Sequence, residues 1–165
     1  MATLCGILRR MRFLLFTGCL ALSLAACAQD SDAVLRGKVI RVKDGDTAEV
    51  KLQSGEITVR FYGIDAPEHD QPHGRDAGLA LRQLIGGKEV DLLPVEQDQY
   101  DRLVAVVMLG ERNVNLDMVA RGNAWAFRQY LGSYPDDPLY CEWEAKARGQ
   151  QLGLWRLPEK QRHAP

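Results

Sequence analysis

Carboxylates and arginines recur in this chain where a β-rich domain would turn. Four short segments hold them: Asp44-Gly45-Asp46-Thr47, Arg60, Asp65-Ala66-Pro67-Glu68 and Asp98-Gln99-Tyr100-Asp101-Arg102. Two carboxylates from different turns suit a hard divalent ion, because Ca²⁺ takes several oxygen ligands in loose geometry. Two guanidinium groups suit a phosphate, to which each offers a planar fork of donors. A further carboxylate could act as a base on water. Metal, base and two cationic clamps are a sufficient set for phosphodiester hydrolysis. Singly, each piece has a plainer reading. Asp-Gly is a hairpin turn, and Arg60 faces solvent opposite Ile57, Val59 and Phe61. Asp65 opens a turn before Pro67, and Asp101-Arg102 is a surface ion pair of little worth. Only the combination argues for chemistry.

The elements that must position these residues are mostly strands. Gly37 to Val42 reads as a strand, the Asp44-Gly45 pair as a hairpin signal, and Ala48, Val50 and Leu52 alternate along a second strand. After Ser54-Gly55, Ile57, Val59 and Phe61 alternate along a third. Gly74 to Ile85 carries Ala77, Leu81, Leu84 and Ile85 at helical spacing and stops at Gly86-Gly87. Two more strands are expected, Glu89 to Val95 with Pro94 at an edge or bulge, and the apolar, central Leu103 to Leu109. Asn115 is positioned to cap a short helix through Ala120. Asp137-Pro138 reads as a cap followed by proline at N1, opening a last helix with an apolar stripe of Leu139, Trp143 and Ala147. The order predicts an α+β domain with a mainly β core: a five-stranded oligonucleotide/oligosaccharide-binding barrel packed with three α-helices.

Three strings in order, Val42-Lys43-Asp44-Gly45-Asp46-Thr47, Val59-Arg60-Phe61-Tyr62-Gly63-Ile64-Asp65-Ala66-Pro67-Glu68 and Asp98 to Arg102, resemble the staphylococcal nuclease (thermonuclease) family. Gln71-Pro72-His73-Gly74, Val114-Asn115 and Gly153-Leu154-Trp155 are similar to further landmarks of that family, so the likeness spans about Leu35 to Trp155. The resemblance implies the same barrel and a Ca²⁺-dependent, endonucleolytic cleavage of DNA or RNA that leaves 3′-phosphate ends. By the same resemblance, Asp46 and Asp65 match the carboxylate ligands of Ca²⁺, and Ala66 matches the residue that lends it a backbone carbonyl. Glu68 matches the residue held to activate water. Arg60 and Arg102 match the pair that grips the scissile phosphate. Tyr100 and Tyr130 match aromatic residues that contact the substrate, whereas Trp125 and Phe127 read as core. The alternative from another class is a catalytically silent nucleic-acid-binding barrel, against which the retention of all five charged residues argues.

Two positions depart from the family's pattern. Asp101 stands where glycine is commonest; a left-handed backbone there would tolerate aspartate better than most residues. Its charge beside Arg102 is expected to blunt the phosphate clamp. Gln99 replaces a frequently basic residue. His69 and His73 flank an acidic loop, but Pro72 interrupts the segment and no cysteine joins them, so they are not read as a zinc site.

The N-terminus is of a different kind. Arg9, Arg10 and Arg12 precede an apolar run from Phe13 to Leu24, and Ala25-Ala26 precede Cys27. This reads as a signal peptide over residues 1–27, too short for a membrane span of about 20 apolar residues. Met11 is an alternative start. Leu24-Ala25-Ala26-Cys27 is similar to a lipobox, predicting lipidation at Cys27, a tether over residues 28–34, a nuclease domain over 35–157 and a tail over 158–165. Ordinary cleavage near Ala26-Cys27-Ala28 is the alternative. The expected location is the cell envelope, held to the membrane by the lipid, or the exterior, as a monomer. Of the four cysteines only Cys141 lies beyond residue 27, so no disulfide framework is expected. Three of the 21 basic residues and none of the 22 acidic ones fall in residues 1–27, so the remainder carries 18 against 22, a charge of −4. Any grip on nucleic acid must therefore come from local positive charge, and it should be salt-sensitive.

Overall fold

The computed structural model describes residues 34–162, so the expected signal peptide, Cys27 and all of the expected tether but Val34 lie outside the described residues. Alternating residues become a meander of β1 (Leu35–Val42), β2 (Thr47–Leu52) and β3 (Gly55–Phe61). Their pleats send Val39, Val50, Val59 and Phe61 inward. After a tight turn at Gly63, whose φ is 71°, comes the two-residue β4 (Ile64–Asp65), and then helix α1 (Gly74–Ile85). Gly74, Ala77, Leu81 and Ile85 form the buried stripe of α1. A Cβ at position 74 would lie 1.7 Å from the Glu68 carbonyl oxygen. Only glycine lets the 66–73 loop fold back onto the start of this helix.

Strand β5 (Glu89–Gln97) pairs antiparallel with β1, and β6 (Leu103–Leu109) pairs antiparallel with β5. The β5–β6 register slips between Pro94 and Glu96, the bulge expected of the proline. Parallel pairing of β3 with β6, Val59 to Leu103 through Phe61 to Ala105, closes the five long strands into a barrel. A short β7 (Arg112–Asn113) leads into α2 (Val114–Ala120). β8 (Trp125–Ala126) pairs with β4, and α3 (Asp137–Gly149) packs on α2. The fold is the α+β, five-stranded barrel with three α-helices that the sequence predicts.

Three local readings are corrected. Asn113, not Asn115, caps α2, its side-chain oxygen accepting from Leu116 N at 3.0 Å. Asn115 is wholly buried instead. Its Nδ2 donates to the carbonyls of Tyr62 (2.9 Å) and Ala105 (3.1 Å), and its Oδ1 accepts from Val107 N (3.0 Å). Asp137 lies inside the first turn of α3, which begins after Asp136. Its carboxylate turns back to accept from Tyr62 Oη at 2.8 Å and from the backbone of Gly132 and Tyr134. The buried face of α3 is Tyr140, Glu144 and Ala147, while Trp143 is exposed beneath Lys146. A tryptophan at helical spacing is no proof of core when a lysine stem can cover it.

Replacing Asn115 by alanine takes the side-chain partner from the Tyr62 carbonyl and the Val107 N–H in the barrel seam, whereas the Ala105 carbonyl keeps the Tyr62 N–H at 2.9 Å, and each buried orphan costs about 1–3 kcal/mol. Losing the Asn113 cap costs about 1 kcal/mol. Urea denaturation should therefore rank Asn115→Ala as the far more damaging of the two. Equal losses would contradict the assignment of the two asparagines.

Candidate active site

Three strand registers converge at one end of the barrel. Asp46 ends the β1–β2 loop, where Asp44 Oδ1 accepts from Asp46 N at 3.0 Å and Phe61 N donates to the Asp46 carbonyl at 2.8 Å. Gly45 keeps an ordinary φ, unlike the left-handed residue a two-residue Asp-Gly turn needs. It is required for closeness instead: a Cβ there would stand 2.6 Å from Ala66 Cβ and 2.8 Å from Ala77 Cβ. The loop thus presses on the segment that carries Asp65 and Ala66. Asp46 Oδ2 accepts from Ala66 N at 2.6 Å, and Oδ1 from Thr47 Oγ1 at 3.0 Å.

Arg60 lies across from Thr47 in the β2–β3 register and joins the two carboxylates. Its Nη2 donates to Asp65 Oδ1 at 2.7 Å, and its Nη1 approaches Asp46 Oδ1 at 2.5 Å without hydrogen-bond geometry. The outward face of β3 predicted solvent exposure, but the side chain is only 14% exposed because the carboxylates cover it. Burial pushes the Asp46 carboxyl up to about 7; Arg60 works against this shift and Asp44 adds to it. Asp65 is also raised, by burial first, again opposed by Arg60 and assisted by Asp44. One guanidinium does not balance three neighbouring aspartates. Among the described residues no three His, Cys, Asp or Glu side chains close around one point. The oxygens that do meet, at Arg60, are the carboxylates of Asp46 and Asp65, hard donors that suit Ca²⁺ and that leave ligand positions for water.

Arg60 also lines a cavity of about 500 Å³ shared with Arg102, Tyr100, Phe127 and Tyr130. The β3–β6 pairing explains why, since Arg102 immediately precedes Leu103, the partner of Val59. Asp98 shapes this loop, accepting from Tyr100 N at 2.9 Å and Arg102 N at 3.0 Å through Oδ1, and from Arg102 Nε at 2.7 Å through Oδ2. Burial pushes the Asp98 carboxyl up, but those N–H groups outweigh it and hold it below its ordinary value. Asp101 has φ 62°, so the left-handed position is real. Its carboxylate, however, takes a hydrogen bond from Gln97, and the counter-charge of Arg102 is Asp98. The spacing of four residues between Asp98 and Arg102 was the available signal.

The aromatic residues divide as their positions in the cavity require. Tyr100 is 70% exposed with Arg102 over its ring at 5.3 Å, and Tyr130 is 53% exposed, edge-on to Phe127. Trp125 is core, but Phe127 is only half-buried and lines the cavity, which corrects its reading as core. Glu68 is exposed three residues beyond Asp65 and is not among the residues lining the cavity. Its N–H donates to Gln71 Oε1 at 2.8 Å and its carbonyl accepts from Gln71 N at 2.9 Å. These bonds fix the backbone and leave the carboxylate without an ion pair among the described residues. His73 turns its Nε2 to Asn123 Oδ1 at 2.9 Å, away from any partnership with exposed His69.

Residues 58–157 match the family model for staphylococcal nuclease homologues. A micrococcal nuclease from Shigella flexneri is 40% identical over 138 residues, 78% of each chain. An endonuclease described as uncharacterized, from Haemophilus influenzae, is 35% identical over 133 residues, 80% of this chain and 71% of its own. The protein ParB of Escherichia coli is 33% identical over 160 residues, covering 92% of this chain and 89% of ParB.

The elevated Asp46 carboxyl has a measurable consequence. Unfolded, Asp46 loses its proton near 3.8; folded, it keeps it to about 7. Between those values the folded state binds more protons, so stability falls as pH rises through that window. Urea denaturation in chelator at several pH values should show this decline in the native chain. Asp46→Asn should make the decline shallower, while Asp65, raised in the same direction, keeps part of it. An unchanged pH profile in the variant would refute the assignment.

Proposed function

This chain belongs to the staphylococcal nuclease homologue family, and we propose that it is a calcium-dependent nuclease hydrolysing phosphodiester bonds of DNA, RNA or both. The observation that carries this reading is the double position of Arg60. It is bonded to the carboxylate pair on one side and open on the other to the cavity that holds Arg102, Tyr100 and Tyr130. Asp46 and Asp65, with the Ala66 carbonyl, would hold Ca²⁺, which when bound supplies positive charge toward the phosphate oxygens.

The chain's own groups do the rest. Arg60 and Arg102 grip the scissile phosphate and the charge that develops on it. Glu68, exposed and unpaired, takes a proton from the attacking water. Tyr100 and Tyr130 offer faces on which bases stack, which suits single-stranded or frayed nucleic acid. Departure of the 5′-oxygen leaves 3′-phosphate ends, and cleavage within strands is the mode proposed. The basic, apolar and lipobox-like segments of residues 1–27 support export and lipidation at Cys27, with the enzyme acting in the cell envelope or outside.

A nuclease assay with Ca²⁺ tests the mechanism. Chelator should abolish hydrolysis, Glu68→Gln should lower kcat by about 10²-fold or more, and Arg60→Ala and Arg102→Ala by about 10²–10³-fold each. Hydrolysis indifferent to both chelator and Glu68→Gln would sink this mechanism; binding without cleavage would leave the silent barrel.

Asp101→Gly should leave kcat/KM unchanged or higher. Glycine accepts φ 62° more easily, and the carboxylate removed is bonded to Gln97 rather than to Arg102. A fall of about tenfold or more would assign Asp101 a direct role.

A further inference from the structure

We infer that a second anion-binding site, built from Arg148 and Arg162 over Trp155, holds the backbone of a polynucleotide strand after it leaves the cavity of Arg60 and Arg102. The inference rests on the nucleic-acid reading above and extends it to a site beyond the cavity.

The site is a separate cavity of about 210 Å³. Arg148 and Arg162 both lie over the Trp155 ring, at 4.8 and 5.5 Å. Stacking on an aromatic face fixes a guanidinium plane while leaving N–H edges for phosphate oxygens. Arg162 spends its Nε on the Leu157 carbonyl at 2.8 Å, which fixes it further. Neither arginine pairs with a carboxylate among the described residues. Arg128, in the same cavity, is already committed to buried Glu144, which also accepts from Ala126 N at 3.0 Å. Glu159 is the remaining acid lining the cavity. Three arginines against two glutamates leave a local excess of positive charge on a domain that is negative as a whole.

Continuity selects the occupant. Phe127 and Tyr130 line the first cavity, while Trp125 and Arg128 line the second, so one segment of six residues walls both. Trp125 is also the register partner of Asp65. A strand held at Arg60 and stacked on Tyr130 can continue along this wall toward Arg148 and Arg162. A dinucleotide or trinucleotide confined to the first cavity would not use them.

Equilibrium binding in chelator tests this on the full chain, by fluorescence anisotropy with a labelled single strand of about 24 nucleotides and with a labelled trinucleotide. The double variant Arg148→Gln/Arg162→Gln should bind the long strand at least about fivefold more weakly, with trinucleotide binding unchanged. The slope of log affinity against log salt should be shallower by about 1.4, or about 0.7 per lost phosphate contact. Arg148→Lys/Arg162→Lys, which keeps the charge but not the stacked planar fork, should retain the native salt slope and bind the long strand with an affinity between the native chain and the glutamine variant. Equal losses on both lengths would overturn the inference, because they would report a disturbed Trp155 rather than a lost contact. So would an unchanged long-strand affinity, including one accompanied by weakened binding to phosphatidylglycerol vesicles, which would mark a membrane-facing patch. A native chain that shows this length-dependent binding yet cleaves neither strand with Ca²⁺ would defeat the nuclease reading and leave this one standing.

Discussion

The parallel pairing of β3 with β6 is the contact on which the site depends. It is the one parallel seam among the long strands, and it joins segments more than forty residues apart in sequence. Because side chains alternate along a strand, the register decides what shares a face. Val59 opposite Leu103 sets Arg60 and Arg102 beside one another; a slip by one residue would send Arg60 into the core. Asn115 holds this register from inside, tying Tyr62 just past β3 to Ala105 and Val107 of β6. A buried amide that donates twice and accepts once is specific in a way that an apolar side chain is not.

Arg60 has two tasks that a freely solvated arginine could not combine. It offsets part of the burial that disfavours ionisation of Asp46 and Asp65, and it presents itself to the cavity. Charge is arranged similarly at Arg102, where Asp98 both builds the turn and orients the guanidinium. Neither arginine is free to wander. Such preorganisation matters more for binding a phosphate than net charge does, which is how an acidic domain can accommodate a polyanion.

Much of the barrel was legible because strand alternation is a local signal: β1, β2, β3, α1 and β6 fall within two residues of their expected bounds. The long-range partners were not. Asn113 and Asn115 are equally plausible caps by composition, and only the position of Tyr62 and Ala105 turns Asn115 inward. Asp137 before a proline reads as a cap until Tyr62 arrives from the distant turn after β3 to claim its carboxylate. The Asp101 charge is adjacent to Arg102 in sequence, yet the turn points it toward Gln97. Site residue types were readable from their order along the chain; their pairings depend on the barrel.

Gly45 and Ala66 show how closely those pairings are constrained. The substituent that position 45 lacks would collide with the one position 66 has, so these sites are small as a pair. What the 66 position contributes is backbone at both ends: its N–H is already bonded to Asp46, and its carbonyl belongs to the same peptide chain that carries Asp65 one residue earlier. The unexceptional Asp-Gly turn therefore matters less as a turn than as the one place where the β1–β2 loop can come close enough to bring Asp46 against Ala66, and with it the two carboxylates into the reach of one arginine.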